Sequence, residues 1–98
     1  MKTSTVIAPT TKGHRIFLEG LSAVGWHGGS RYTVDYTLDT IILMKALPDT
    51  VGKTRKVTAS KGGVIDLESK RITKWAKGSE SVSVQYDHNH IIIERVVA

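Results

Sequence analysis

The chain has 98 residues, 40% of them hydrophobic, with two prolines, no cysteine and a net charge of +5. That length suits one compact domain with a modest core, and the composition excludes disorder, a disulfide framework and a thiolate metal site. The opening MKTSTVIAPTTKGHR lacks the continuous apolar run of a secretory leader, and no stretch approaches the ~18 apolar residues that cross a membrane as a helix. A soluble cytoplasmic protein is the expectation.

In chain order, TSTVIA (3–8) is a β-branched run that predicts a strand closed by Pro9. HRIFLE (14–19) alternates, with Ile16 and Leu18 on one face. GLSAVGW holds up to two helical turns before the break at Gly28 and Gly29. RYTVDYT predicts a strand with Tyr32, Val34 and Tyr36 toward the core. LDT turns, and IILMKAL is a continuous apolar run, expected to be covered on both faces. PDTVGK then links to a second half, in which TRKVTA is a strand, KGG a turn and VIDLE a strand that alternates Ile65 and Leu67 with Val64 and Asp66. Ser69 is placed to cap a helix with Ile72, Trp75 and Ala76 inward, Lys70, Lys74 and Lys77 outward, and Gly78 as its stop. SVSVQY and HIIIERVV form the last hairpin around DHN.

The two halves repeat one another. At an offset of 49, Lys12-Gly13 matches Lys61-Gly62, Ile16 matches Ile65, Leu18-Glu19 matches Leu67-Glu68, Trp26 matches Trp75, and Gly29-Ser30 matches Gly78-Ser79. At an offset of 50, Val34 matches Val84, Tyr36 matches Tyr86, and Ile41-Ile42 matches Ile91-Ile92. One residue is therefore inserted in the second copy, beside a turn. Two copies are too few for a solenoid, which needs about three. They predict a single domain, 1–98, built from repeats at about 1–48 and 53–98 around a pseudo-two-fold axis, like a homodimer joined into one chain.

Charge is uneven between the repeats. Residues 1–49 carry five Lys and Arg against four Asp and Glu, and residues 50–98 carry nine against five. Between Lys53 and Lys77 eight basic residues face only Asp66 and Glu68. Such a segment points to a polyanionic partner.

The short strand with a basic residue near its start, the brief helix, the glycine-containing entry and the hairpin resemble the swapped-hairpin plan of the AbrB/MazE group. LEGLSAVGWHGGSRYTVDYTLDTIIL is similar to its SymE-like branch, over 12–46 closely and 53–97 more loosely. The resemblance implies a mainly β, pseudo-two-fold swapped-hairpin barrel with two short helices, and a bacterial DNA-binding regulator of transcription or antitoxin. Many members have a proline after the first strand where this chain has Glu19 and Glu68. Carried over by position, the resemblance implies Arg15 and Arg31 as DNA contacts in the first repeat and Arg55, Lys56 and Lys61 in the second. The helix stripe Lys70, Arg71, Lys74 and Lys77 lies beside them. A lysine majority predicts backbone attraction more than base reading.

Other chemistry is sparsely signalled. His88 and His90 share a hairpin tip with only Asp87 as an obvious third ligand, which reads as a solvated turn, so no metal is expected. The glycine pairs at 28–29 and 62–63 lack the following Lys-Ser/Thr of a phosphate loop, and no nucleophile elbow surrounds any serine. Trp26 and Trp75 are expected in the core, not as base-stacking platforms. No enzyme and no cofactor are expected. The expected partner is double-stranded DNA, bound by a monomeric pseudo-dimer or a homodimer with no membrane involved. The alternative is a small inhibitor or adaptor, of the phage or mobile-element type, that binds a toxin or host protein through the same barrel.

Overall fold

The computed structural model describes residues 2–96. Its strands are β1 Lys2–Thr10, β2 Gly13–Leu18, β3 Arg31–Tyr36, β4 Thr40–Lys45, β5 Arg55–Lys56, β6 Ile65–Ser69, β7 Ser81–Tyr86 and β8 His90–Arg95; the helix α1 spans Lys70–Ala76. All eight strands lie in one antiparallel sheet of order β5-β3-β4-β8-β7-β1-β2-β6. A reciprocal pair of bonds, Thr58 N to Val64 O at 2.9 Å and Val64 N to Thr58 O at 2.8 Å, joins the two ends into a nearly closed barrel.

The hairpins are swapped between repeats. β1 of the first repeat pairs with β7 of the second, and β5 of the second with β3 of the first. Equivalent strands meet at β2–β6 and β4–β8, where Phe17 faces Asp66 and Ile42 faces Ile92. Each of those pairs joins a residue to its own repeat counterpart, so the pseudo-two-fold axis passes through both. The ladder bonds obey the same operation. Ile7 N to Glu80 O (2.8 Å) matches Val57 N to Ser30 O (2.9 Å), and Lys45 N to Asn89 O (3.0 Å) matches Arg95 N to Asp39 O (3.1 Å). The extra residue of the second repeat enters at Ser79–Glu80. Ser30 N bonds His27 O as Ser79 N bonds Ala76 O, but the role of the Ser30 carbonyl passes to Glu80.

The core follows the strand alternation. Ile7, Ile16, Leu18, Tyr32, Ile41 and Leu43 from one repeat meet Val57, Ile65, Leu67, Val82, Val84, Ile91 and Ile93 from the other, with Trp26, Ile72 and Trp75 among them. Four details depart from the expectation. β4 is covered on one face only: Ile41 and Leu43 are buried while Met44 is 44% exposed, because an antiparallel barrel strand has one inner face. β1 runs through Pro9 to Thr10. The Ile7 bond to Glu80 turns the odd residues of β1 toward β7, which begins at Ser81, so the proline nitrogen points past that strand and breaks no ladder bond. Val34, Tyr36 and Tyr86 are only partly buried. The first repeat has a 3-10 turn, Leu21–Val24, where a helix was expected. Gly20 at φ 70° supplies no side-chain cap and Gly25 at φ 89° ends the turn at once. In the second repeat Ser69 Oγ accepts from Ile72 N and Lys77, at φ 50°, makes the left-handed exit just before Gly78. Val97, read as part of the last strand, lies outside the described residues.

Candidate nucleic-acid interface

Of the nine basic residues selected from sequence, seven fall into three places, and Arg71 and Lys77 lie apart from them. The first is the outer face of β2 and β6, on the pseudo-two-fold axis. Alternation turns Ile16 and Leu18 inward and therefore Arg15 and Phe17 outward. The Arg15 guanidinium lies 4.5 Å from the Phe17 ring centroid and donates from Nε to Asp66 Oδ1 at 3.2 Å. Lys61, in the β5–β6 connection, places its ammonium 5.4 Å from the centroid of the same ring. Asp66, Glu68 and Glu19 also lie along this face, so its charge is mixed and Arg15 is already paired.

The second place is the wall formed by β3 and β5. Arg31 and Lys56 are Cα partners, and Arg31 donates to Thr54 Oγ1 at 3.1 Å. Arg55 stands opposite Tyr32 and points to the same side of the sheet. Burial pushes the Tyr32 phenol above its ordinary pKa, while the Arg55 charge draws it down and the Asp66 charge raises it. The repeat equivalents of Arg55 and Asp66 are Thr5 and Phe17. Those two line an open cleft of about 300 Å³ with Thr3, Glu19 and Tyr86. One repeat thus has an uncharged Thr5 and Phe17 where the other has Arg55 and Asp66.

The third place is α1 with the β1–β2 turn. A Cβ on Gly13, whose φ is +132°, would stand 2.5 Å from Ser69 O, so glycine lets the turn press against the start of α1. His14 Nδ1 lies 2.8 Å from Thr73 Oγ1 and ties the strand to the helix. Between them runs a shallow groove of about 480 Å³, lined by Thr10, Thr11, Gly13, His14, Lys70, Thr73 and Lys74. Lys70 and Lys74 stand at helical spacing i and i+4 on its wall. Lys77 does not join them: it lines a separate depression with Gly78, Ser79, Glu80 and Arg95. Arg71 turns the other way and lies 4.0 Å over the Tyr36 ring. The ion pairs of the described residues are Arg15–Asp66, His90–Asp87 and Arg95–Asp39, so no carboxylate neutralises the helix.

The structure therefore joins Lys70 and Lys74 to the tip of β1–β2, joins Arg15 to Lys61 across the repeats, and keeps Arg31 with Lys56 on a separate wall. Sequence reasoning passed over Lys12, at the β1–β2 tip, and Phe17. Lys12 had a signal, since it matches Lys61 in the repeat; Phe17 had one in its outward place between Ile16 and Leu18. Trp26 and Trp75 are 0% and 7% exposed, so neither is a stacking platform. Among the described residues no three His, Cys, Asp or Glu side chains group to hold a metal, and no helix is long and apolar enough to cross a membrane. Comparison with protein-family models, with curated proteins and with solved structures found no match to this chain.

Proposed function

We propose that the protein binds duplex DNA by its phosphate backbone, as a regulator or antitoxin of the AbrB type, and that the groove between α1 and the β1–β2 turn is the contact. The observation that carries this reading is the composition of that groove. Two lysines without carboxylate partners stand over the hydroxyls of Thr10, Thr11 and Thr73 and the backbone of Gly13. Ammonium groups, hydroxyls and main-chain N–H are the groups that meet phosphate oxygens, and they position a protein without selecting sequence. The groove draws on both repeats, because β2 of the first pairs with β6 of the second. The resemblance to the AbrB/MazE group and the net charge of +5 support the same reading.

The test is binding of a random duplex over a series of salt concentrations. Lys70→Gln with Lys74→Gln should weaken binding to all sequences alike and lower the slope of log affinity against log salt by about 1.8, at ~0.9 per phosphate contact. Gln is a fair helix former and both side chains point away from Ile72 and Trp75, so melting should hardly change. A wild-type protein that binds no duplex at low salt would end this reading.

A further inference from the structure

The swapped barrel treats its two long edges unequally. β1 covers β7 over five residues, Lys2–Val6, whereas the equivalent β5 covers β3 over two, Arg55–Lys56. In an antiparallel ladder alternate residues exchange both backbone bonds with one neighbour. Thr37 N bonds Thr40 O on the β4 side and Val57 N bonds Ser30 O on the β5 side. By that parity Val34 and Tyr36 turn their N–H and C=O groups toward the edge that β5 does not reach. Among the described residues no strand pairs with that edge beyond Tyr32. The side chains report the same gap: Val84 faces Thr3 and is 0% exposed, while its counterpart Val34 is only partly buried. The chain leaves before it reaches the position that Thr3 fills, through Gly52 at φ 105° and a Val51 that is 94% exposed.

Open edges of this kind invite another strand, and proteins commonly block them. Here the charge around the edge selects what comes. Arg55 stands at one end, opposite Tyr32, and Arg71 lies over Tyr36 at the other. Neither forms an ion pair among the described residues. Asp35 alternates with Val34 and Tyr36, so its side chain lies on the outer face. Two copies of this chain meeting edge to edge would set Arg55 and Arg71 against their own kind, which disfavours self-pairing.

We propose that the Thr33–Tyr36 edge of β3 is a strand-pairing site for an extended acidic segment of a partner protein. The segment runs antiparallel to β3, as Lys2–Val6 runs along β7, with a β-branched residue opposite Val34 and a carboxylate opposite Tyr36 beside Arg71. This site is separate from the α1 groove and stands whether or not the protein binds DNA.

The experiment is amide hydrogen exchange by NMR, without and with a blocked hexapeptide Ser-Glu-Thr-Val-Thr-Ser, titrated to millimolar concentration. In the peptide-free protein the Val34 and Tyr36 amides should exchange quickly while the Val84 amide is protected. The acidic peptide should slow Val34 and Tyr36 selectively, and its lysine-for-glutamate counterpart should not. Arg71→Gln should weaken the acidic peptide roughly twofold, the scale of one exposed charge pair, whereas Lys70→Gln with Lys74→Gln should leave it unchanged. Protection of Val34 in the peptide-free protein would overturn the proposal, because the edge would already be filled. Protection that rises with protein concentration alone would assign the edge to a second copy, and equal binding of both peptides would remove the charge argument; either result sinks it.

Discussion

Trp26 and Trp75 occupy equivalent corners of the barrel, yet the two corners are built differently. Trp26 Nε1 donates to Asp87 O at 2.9 Å, and Lys45 crosses above the ring at 5.6 Å to donate to Gly25 O at 2.6 Å. In the second repeat Trp75 Nε1 and Arg95 Nε are buried with no hydrogen-bond partner among the described residues, although Arg95 Nη2 reaches Asp39. The buried inward positions of the strands pair apolar with apolar, while the corners, helices and rims have diverged. A shared core tolerates little change because each inner residue touches the opposite repeat. A corner touches few neighbours and solvent, so its polar partners were free to differ.

The comparison can be broken first at the tryptophans themselves. Trp26→Ala and Trp75→Ala should each cost ~3–5 kcal/mol in urea unfolding, with Trp26 the more costly because Asp87 O and Lys45 lose their partner. Equal losses would mean that the two corners are energetically alike.

A sharper version changes only the indole nitrogen. Trp26→Phe removes a made hydrogen bond and should cost about 1–2 kcal/mol more than Trp75→Phe, which removes a buried donor that has no acceptor. The reverse order would show that Trp75 Nε1 is satisfied in solution.

The helix starts offer a smaller contrast. Ser69→Ala removes the cap on Ile72 N and should lower stability by ~1 kcal/mol. Gly20→Ser at the equivalent start should not stabilise the 3-10 turn, because Gly20 holds φ at +70°, where a side chain is strained. A gain in melting temperature for Gly20→Ser would show that the first repeat lacks only a cap.

The smallest expected effect is at the two hairpin turns. Thr37 Oγ1 accepts from Thr40 N at 3.0 Å, and Asp87 Oδ1 accepts from Asn89 N and His90 N at 2.8 and 2.7 Å. Those two N–H groups hold the Asp87 carboxyl below its ordinary pKa. A depressed carboxylate stabilises the folded state above its unfolded pKa, and that contribution is lost as pH falls through the lowered folded value. The Asn89 and His90 amide shifts should therefore titrate in acid below the usual carboxylate range, with no matching change at Thr40. A simultaneous transition at Thr40 would mean that the barrel is unfolding as a whole.

The amino-acid sequence by itself determined the repeat, the inward residues of each strand and the Ser69-capped amphipathic helix, because these follow from periods of two and 3.6 and from local capping chemistry. It also located the basic segment. What the tertiary structure decided is how far each strand runs and which charges meet. Pro9 could be read as a stop only until its nitrogen was seen to point past β7. Arg15 looked available until Asp66, from the other repeat, was found beside it. Lys70 and Lys74 share a groove with Thr10 and Gly13 because β2 pairs with β6, and the open edge of β3 exists because β5 stops two residues after it begins to pair. Each of these depends on which strand lies next to which. Neighbours joined across the repeats, such as Tyr32 with Arg55, Phe17 with Asp66 and Lys2 with Gln85, lie too far apart in the chain for any local pattern to span.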